Sequence, residues 1–240
     1  MLEKIRTALD LIFPRNCQFC TEPLGDPEPG VICASCLGLV KRIEAPFCHR
    51  CSLPFAGQMD VQFECGYCQD IPFHFSRAVA ACRAEGVVRD CIHRLKYNRE
   101  LYYAPVLANW LIEAARENID WREIDAVVPV PLHPRKKRER EFNQAELLAT
   151  ALHKTFGVVV DQKNLRRVKD TISQTTLSAE ERRCNLQKAF AVRRADAFKG
   201  KRLVILDDVF TTGATMNACA KVLCEAGAVN VTALAVARGV

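Results

Sequence analysis

The residues best suited to chemistry stand together near the C-terminus, in Val204-Ile205-Leu206-Asp207-Asp208-Val209-Phe210-Thr211-Thr212-Gly213-Ala214-Thr215. Two adjacent acids lead into a small, hydroxyl-rich turn. Backbone N–H groups of such a turn point outward with the positive end of a following helix behind them, an arrangement that suits a phosphate. Gly213 permits close backbone approach, and the hydroxyls of Thr211, Thr212 and Thr215 can donate to phosphate oxygens. Carboxylates repel phosphate, so Asp207 and Asp208 require a neutral or cationic partner, and a vicinal diol or a bound Mg²⁺ meets that need. Acids followed by a phosphate turn point to a ribose 5-phosphate. The plainer alternative is a strand-to-helix loop whose acids cap the helix; the joint occurrence of the double acid and Thr-Thr-Gly-x-Thr argues against it.

A second set of reactive residues lies in the N-terminal third. Eight of the 13 cysteines form four Cys-x-x-Cys knuckles, Cys17/Cys20, Cys33/Cys36, Cys48/Cys51 and Cys65/Cys68. Two tetrahedral zinc sites would use all eight. Sequential pairing, with Cys17, Cys20, Cys33 and Cys36 on one ion and Cys48, Cys51, Cys65 and Cys68 on the other, is the simplest arrangement; the spacing also admits a cross-braced one. Pro and Gly are dense between residues 23 and 66, so this segment cannot build a large core and its stability must come from metal. Redox knuckles are the rival reading, though these come as one pair on a thioredoxin-like unit rather than four in tandem. His49, inside a knuckle, is either a spare ligand or a solvated loop histidine. The scattered Cys82, Cys91, Cys184, Cys219 and Cys224 read as small core or surface thiols.

Positioning these groups requires a sheet. Val204 to Leu206 reads as a buried parallel strand and Ala214 to Ala226 as a helix, which sets the phosphate turn at a strand's carboxyl end. Upstream, Ala78 to Ala84 and Ala126 to Val130 read as strands, Val87 to Tyr97 and Ala104 to Glu117 as helices. Such alternation predicts an α/β fold with a mostly parallel sheet and helices on both faces. Directly after the strand at 126–130 comes Pro131 to Gln144, read as a loop with five cations, Arg135, Lys136, Lys137, Arg138 and Arg140, leading into a helix. At the same sheet edge it would face the same crevice and suit an anionic leaving group such as pyrophosphate, although an isolated charge run is also readily explained as a solvated turn. Asn143 and Gln144 would contact a ligand or cap the helix. The polar segment from Lys169 to Leu186, long and without a clear period, reads as a lid or a disordered stretch, and a lid would exclude water from the site.

Composition limits the alternatives. The chain has 240 residues, 34 Lys and Arg against 28 Asp and Glu, and a net charge of +6. That excess favours an anionic partner without demanding one. Met1 to Phe13 reads as an amphipathic helix whose interspersed charges exclude a secretory signal, and no apolar run approaches the ~18 residues of a membrane span. A cytoplasmic protein is expected, in which a disulfide framework has no place.

The 204–215 stretch closely resembles the phosphoribosyl-pyrophosphate (PRPP) signature of type I phosphoribosyltransferases. The resemblance implies that Asp207 and Asp208 hold the ribose hydroxyls, that Thr211, Thr212, Gly213, Ala214 and Thr215 hold the 5-phosphate, and that magnesium accompanies PRPP. Purine-salvage members place an Asp where this chain has Thr211. Over nearly its whole length the chain also resembles the ComF/GntX family, through the knuckles, Arg94-Leu95-Lys96-Tyr97, Val128 to Pro134, Phe142-Asn143-Gln144-Ala145-Glu146, Gln174 with Leu177, Arg182 with Asn185, Ala189-Phe190 and the PRPP stretch. Glu141 departs from it, standing where a Gly is expected. This resemblance implies a small cysteine-rich double-zinc-ribbon domain with an N-terminal amphipathic helix (1–75) followed by a type I phosphoribosyltransferase-like domain (76–240). It also implies two structural zinc ions, a pyrophosphate loop with His133, Arg135, Lys136, Arg138 and Arg140, and a flexible loop with Gln174, Arg182 and Asn185. The function implied is PRPP binding in natural competence or the processing of imported single-stranded DNA, with DNA and DNA-processing proteins as partners. A working phosphoribosyltransferase with an acceptor outside purine salvage is the alternative.

Overall fold

The computed structural model describes residues 15–24, 30–57, 63–169 and 188–239. The expected N-terminal helix at 1–13, Cys184 and the loop residues Gln174, Arg182 and Asn185 lie outside the described residues. In the cysteine-rich third the helices are single turns, α1 (Ala34–Leu37) and α2 (Gly66–Gln69), each starting one residue after the first cysteine of a knuckle. From Arg77 onward the chain alternates between strand and helix. β1 (Arg77–Arg83) leads to α3 (Gly86–His93), a π-helical turn at Arg94–Asn98 and α4 (Tyr103–Asn118). β2 (Ala126–Pro129) is followed by α5 (Pro134–Arg140), α6 (Gln144–Phe156) and β3 (Val159–Val160). After the antiparallel pair β4 (Leu165–Arg167) and β5 (Phe190–Val192) come β6 (Arg202–Phe210), α7 (Ala214–Glu225) and β7 (Asn230–Arg238).

The five-stranded sheet has the order β1-β7-β6-β2-β3, with every pair parallel. Its central strands β6 and β7 are buried almost throughout, as near-continuous apolar runs should be when both faces are covered. On one face α3, α4 and α6 bury Val88, Ile92, Leu107, Leu111, Leu148 and Leu152 against Val204, Leu206 and Leu234. On the other, α7 buries Met216, Ala220 and Leu223 against Leu203, Ile205 and Ala233. The cysteine-rich third straddles the sheet: Cys17, Cys33 and Cys36 belong to the first layer, and Cys48, Cys51, Cys65 and Cys68 to the second. It also lies along the outer side of β1, where Ile43 N–H donates to Ala81 O (2.9 Å), Arg83 N–H to Lys41 O (2.9 Å) and Ala78 N–H to Arg50 O (2.8 Å). Cys82, Cys91 and Cys219 are core thiols.

Two elements differ from the expectation. The strand at 204–206 runs on to Phe210, so both acids lie on the strand end rather than in the loop. The cationic stretch is not a loop but the helix α5. Pro134 at its first turn fixes φ for helix entry, and Arg135 pairs with Glu139 one turn on (3.0 Å), which offsets the like charges.

Candidate functional site

The carboxyl ends of β2 and β6 open on one cavity of about 330 Å³. Asp207, Asp208 and the whole 211–215 turn line it, together with Lys136 and Arg140 of α5, Gln144 of α6, Lys96, Tyr97, Arg167 and several apolar side chains. The expected phosphate turn and part of the cationic stretch thus meet. Of the five cations, Lys136 and Arg140, four residues apart on one helix face, reach the cavity. Arg135 pairs with Glu139, Lys137 pairs with Glu146 (2.8 Å), and Arg138 is exposed outside the lining. His133 is the residue before α5 and does not line the cavity either. Asn143 is spent on structure: its side chain accepts from Ala145 N–H (3.0 Å) and donates to Val130 O (3.0 Å). Gln144 accepts from Arg140 (2.6 Å), whose guanidinium lies 5.6 Å over the Tyr97 ring.

The turn depends on Gly213, which precedes α7 at φ 75°. A Cβ there would stand 2.5 Å from Phe210 Cζ and 3.1 Å from Phe73 Cε1, so both the backbone conformation and the space demand glycine. The first N–H groups of α7 have no intrahelical acceptor, and Ala214, Thr215 and Met216, which carry three of them, line the cavity.

The two acids are unlike. Asp208 is 3% exposed and forms an ion pair with Lys96 Nζ. Burial opposes its ionisation, but the Lys96 ammonium outweighs this and holds the carboxyl below its ordinary range; Lys96 is raised in turn, against its own burial, by Asp208 and then Asp207. Asp207 is pushed up to about 8, by burial first and by the Asp208 charge second, against the more distant pull of Lys96. Its Oδ1 accepts from the Asp208 N–H (2.9 Å). One carboxylate is therefore committed to a lysine, while the other is poised near neutrality at the cavity wall. Lys96, Tyr97 and Arg167 were not assigned to the site from sequence. The available signal for Lys96 and Tyr97 was the Arg94-Leu95-Lys96-Tyr97 motif of the family resemblance, which here forms the π-helical turn after α3.

The cysteines assemble in sequential fashion. Cys17, Cys20, Cys33 and Cys36 form one tetrad, Cys48, Cys51, Cys65 and Cys68 the other, with the sulfur atoms of each within 4.8 Å of one another. Neighbouring sulfurs stand at 3.5 Å (Cys20–Cys33), 3.7 Å (Cys51–Cys65) and 3.8 Å (Cys48–Cys68). Four sulfurs at the usual Zn–S length of about 2.3 Å would lie about 3.8 Å apart, whereas a disulfide requires about 2.05 Å. Backbone N–H groups point at sulfur, from Cys33 to Cys17 Sγ (3.4 Å) and from Cys65 to Cys48 Sγ (3.3 Å). Burial raises Cys17, yet such N–H groups bring it down to about 6, while burial and the neighbouring sulfurs push Cys36 up to about 12. Four sulfurs at tetrahedral separations with backbone N–H groups aimed at them form a donor set that fits structural zinc. His49 is no ligand: it contacts Phe63 O (2.8 Å) and Glu64 (3.3 Å). No helix among the described residues is long and apolar enough to cross a membrane.

Comparison with known proteins agrees with both halves. Residues 8–72 match the double zinc ribbon domain and residues 142–239 the phosphoribosyl transferase domain. DNA utilization protein YhgH of Salmonella typhimurium is 33% identical over 224 residues, covering 92% of this chain and 96% of that protein. Competence protein F of Haemophilus influenzae is 30% identical over 210 residues, covering 85% and 90%. Among solved structures, glutamine PRPP amidotransferase from B. subtilis overlaps 55% of this chain and 26% of its own at 21% identity, with a TM-score of 0.38.

Proposed function

The chain belongs to the family of DNA utilization protein YhgH and Competence protein F, a double zinc ribbon joined to a phosphoribosyl transferase domain, and on that premise we propose that it binds PRPP and acts in the uptake or use of external DNA. In this reading the 5-phosphate rests on the N–H groups and hydroxyls of Thr211 to Thr215, with Gly213 and Ala214 between them, and the ribose hydroxyls face Asp207 and Asp208. The diphosphate extends toward Lys136 and Arg140. The supporting observation is that one cavity joins an anion-binding turn, a carboxyl poised to accept from a hydroxyl, and cations in its lining. Carboxylate oxygens at the wall also fit Mg²⁺, which would neutralise the diphosphate when bound. His133, Arg135 and Arg138 serve the outer approach to the cavity rather than its lining. Calorimetry with Mg-PRPP tests the reading. Asp207→Ala should weaken binding by about one to two orders of magnitude, as loss of hydrogen bonds to a charged acceptor implies; no binding by the wild type would remove the proposal.

A second reading, a working transferase, is favoured by the completeness of the pocket. An acceptor nitrogen would bond to C1 of the ribose as the C1–oxygen bond breaks and its electron pair leaves with the diphosphate toward Lys136 and Arg140. Release of pyrophosphate on mixing with PRPP and a panel of bases distinguishes enzyme from binder. The role in DNA use carries its own test, because single-stranded DNA held by cations loses affinity with salt along a slope of about −0.7 per neutralised phosphate. Of the ribbon aromatics, Phe73 and Phe75 are buried and Phe19 packs against Tyr103 (6.1 Å), so these three offer little to stacking, whereas Tyr67 is exposed.

A further inference from the structure

The phosphate turn is held from behind by the second cysteine tetrad. Tyr67, between Cys65 and Cys68 on α2, donates its hydroxyl to Thr212 O (3.0 Å). Arg238, at the end of β7 and 5% exposed, donates to Thr211 O (2.6 Å) and Phe210 O (3.3 Å). The same guanidinium donates to Cys51 O (3.0 Å), lies 3.9 Å from Cys51 Sγ and stacks 5.0 Å over the Phe210 ring. Phe73, just past the last knuckle, fills the space beside Gly213 together with Phe210. Three successive carbonyls, those of residues 210, 211 and 212, are therefore fixed by groups that belong to or touch this tetrad.

We infer that zinc in the second tetrad positions the phosphate turn, with Tyr67 and Arg238 as the positioning residues. Fixing the carbonyls on the rear side aims the following N–H groups at the cavity, where preorganised donors bind an anion without paying for reorganisation. The guanidinium serves two needs at once. Four thiolates around Zn²⁺ leave a net charge of about −2, which Arg238 offsets while it grips the turn. The first tetrad lies on the other face of the sheet, where Phe19 and Tyr103 meet Arg94 (5.2 and 5.9 Å), so its loss should spare the turn.

The inference rests on the PRPP reading only for the affinity it affects, so the experiment has two arms. In full-length protein, amide NMR signals of Thr211 to Thr215 are compared among wild type, Tyr67→Phe, Cys65→Ser and Cys20→Ser, with zinc content and melting temperature measured on each. Tyr67→Phe should retain two zinc ions and wild-type melting yet shift the turn's signals. It should weaken Mg-PRPP binding by about three- to tenfold, the worth of one hydrogen bond. Cys65→Ser should broaden those signals and Cys20→Ser leave them in place. Unchanged turn signals in Tyr67→Phe would overturn the inference, as would equal disturbance by Cys20→Ser and Cys65→Ser. Should wild type fail to bind PRPP, the ligand assignment falls and the NMR arm still decides whether the tetrad holds the turn.

Discussion

At the residue scale, Lys96 changes what the two acids mean. A hydroxyl-rich turn and paired acids are readable in a contiguous motif, and Asp207, Asp208 and the turn were legible for that reason; the pairing of Asp208 with a lysine supplied by a distant helix end was not. The pair with Asp208 is buried, so removing one partner strands the other charge. Asp208→Asn should cost about 3–5 kcal/mol of stability, read as a lowered denaturant midpoint, while Asp207→Asn should not. Asp207 also predicts a pH dependence. Its carboxyl titrates near the ordinary carboxylate value of about 3.9 when unfolded but at about 8 when folded. The folded state then binds the extra proton between those values, so this group's stabilisation is full below about pH 4 and is lost as pH rises through about 8. Melting temperature should fall more steeply from pH 5 to pH 9 in wild type than in Asp207→Asn. If the ionised carboxylate accepts from the ribose, Mg-PRPP affinity should rise over the same interval.

Elements carry the next level of consequence. Gly213→Ala meets both a positive φ and the Phe210 ring, and it should destabilise the protein by about 1–3 kcal/mol while weakening PRPP binding more than its distance from the acids suggests. Glu141 is the converse case. It sits at φ 72° as the residue that ends α5, a conformation in which glycine is at ease, and its carboxylate is turned away to Arg99 (3.1 Å), itself at φ 60°. This acid pairs with Arg99 and does not line the cavity. An exposed pair of this kind contributes little, so Glu141→Gly should raise stability by up to about 1 kcal/mol and leave ligand affinity unchanged, which thermal melts and calorimetry would show. The helix α5 was read as a loop because five cations within six residues argue against regular structure; the Arg135–Glu139 pair has the spacing of one helical turn, which charge counting hides, and Lys137 pairs with Glu146 of α6. β2, β6, α4 and α7 were legible from apolar periodicity, with ends shifted by a few residues at most except where β6 carries on through the acids.

On the scale of the molecule, the knuckle spacing gave the number of metal sites, but the distribution of the two tetrads over opposite faces of the sheet depends on packing that no spacing encodes. The cysteine-rich third lies against the sheet: its residues 41–43 and 50 hydrogen-bond along β1, the outermost strand on that side. β1 is a seven-residue run, Arg-Ala-Val-Ala-Ala-Cys-Arg, with charges only at its ends. Such a strand, uncovered, is a template for pairing with another chain. The opposite edge needs no cover, because β3 is only two residues long. Zinc that holds the ribbons would thereby keep this edge of the sheet covered as well. Protein stripped by a strong chelator should form β-rich aggregates at a rate that rises with concentration, seen by light scattering, and Ala80→Lys on the uncovered strand should suppress them without restoring zinc.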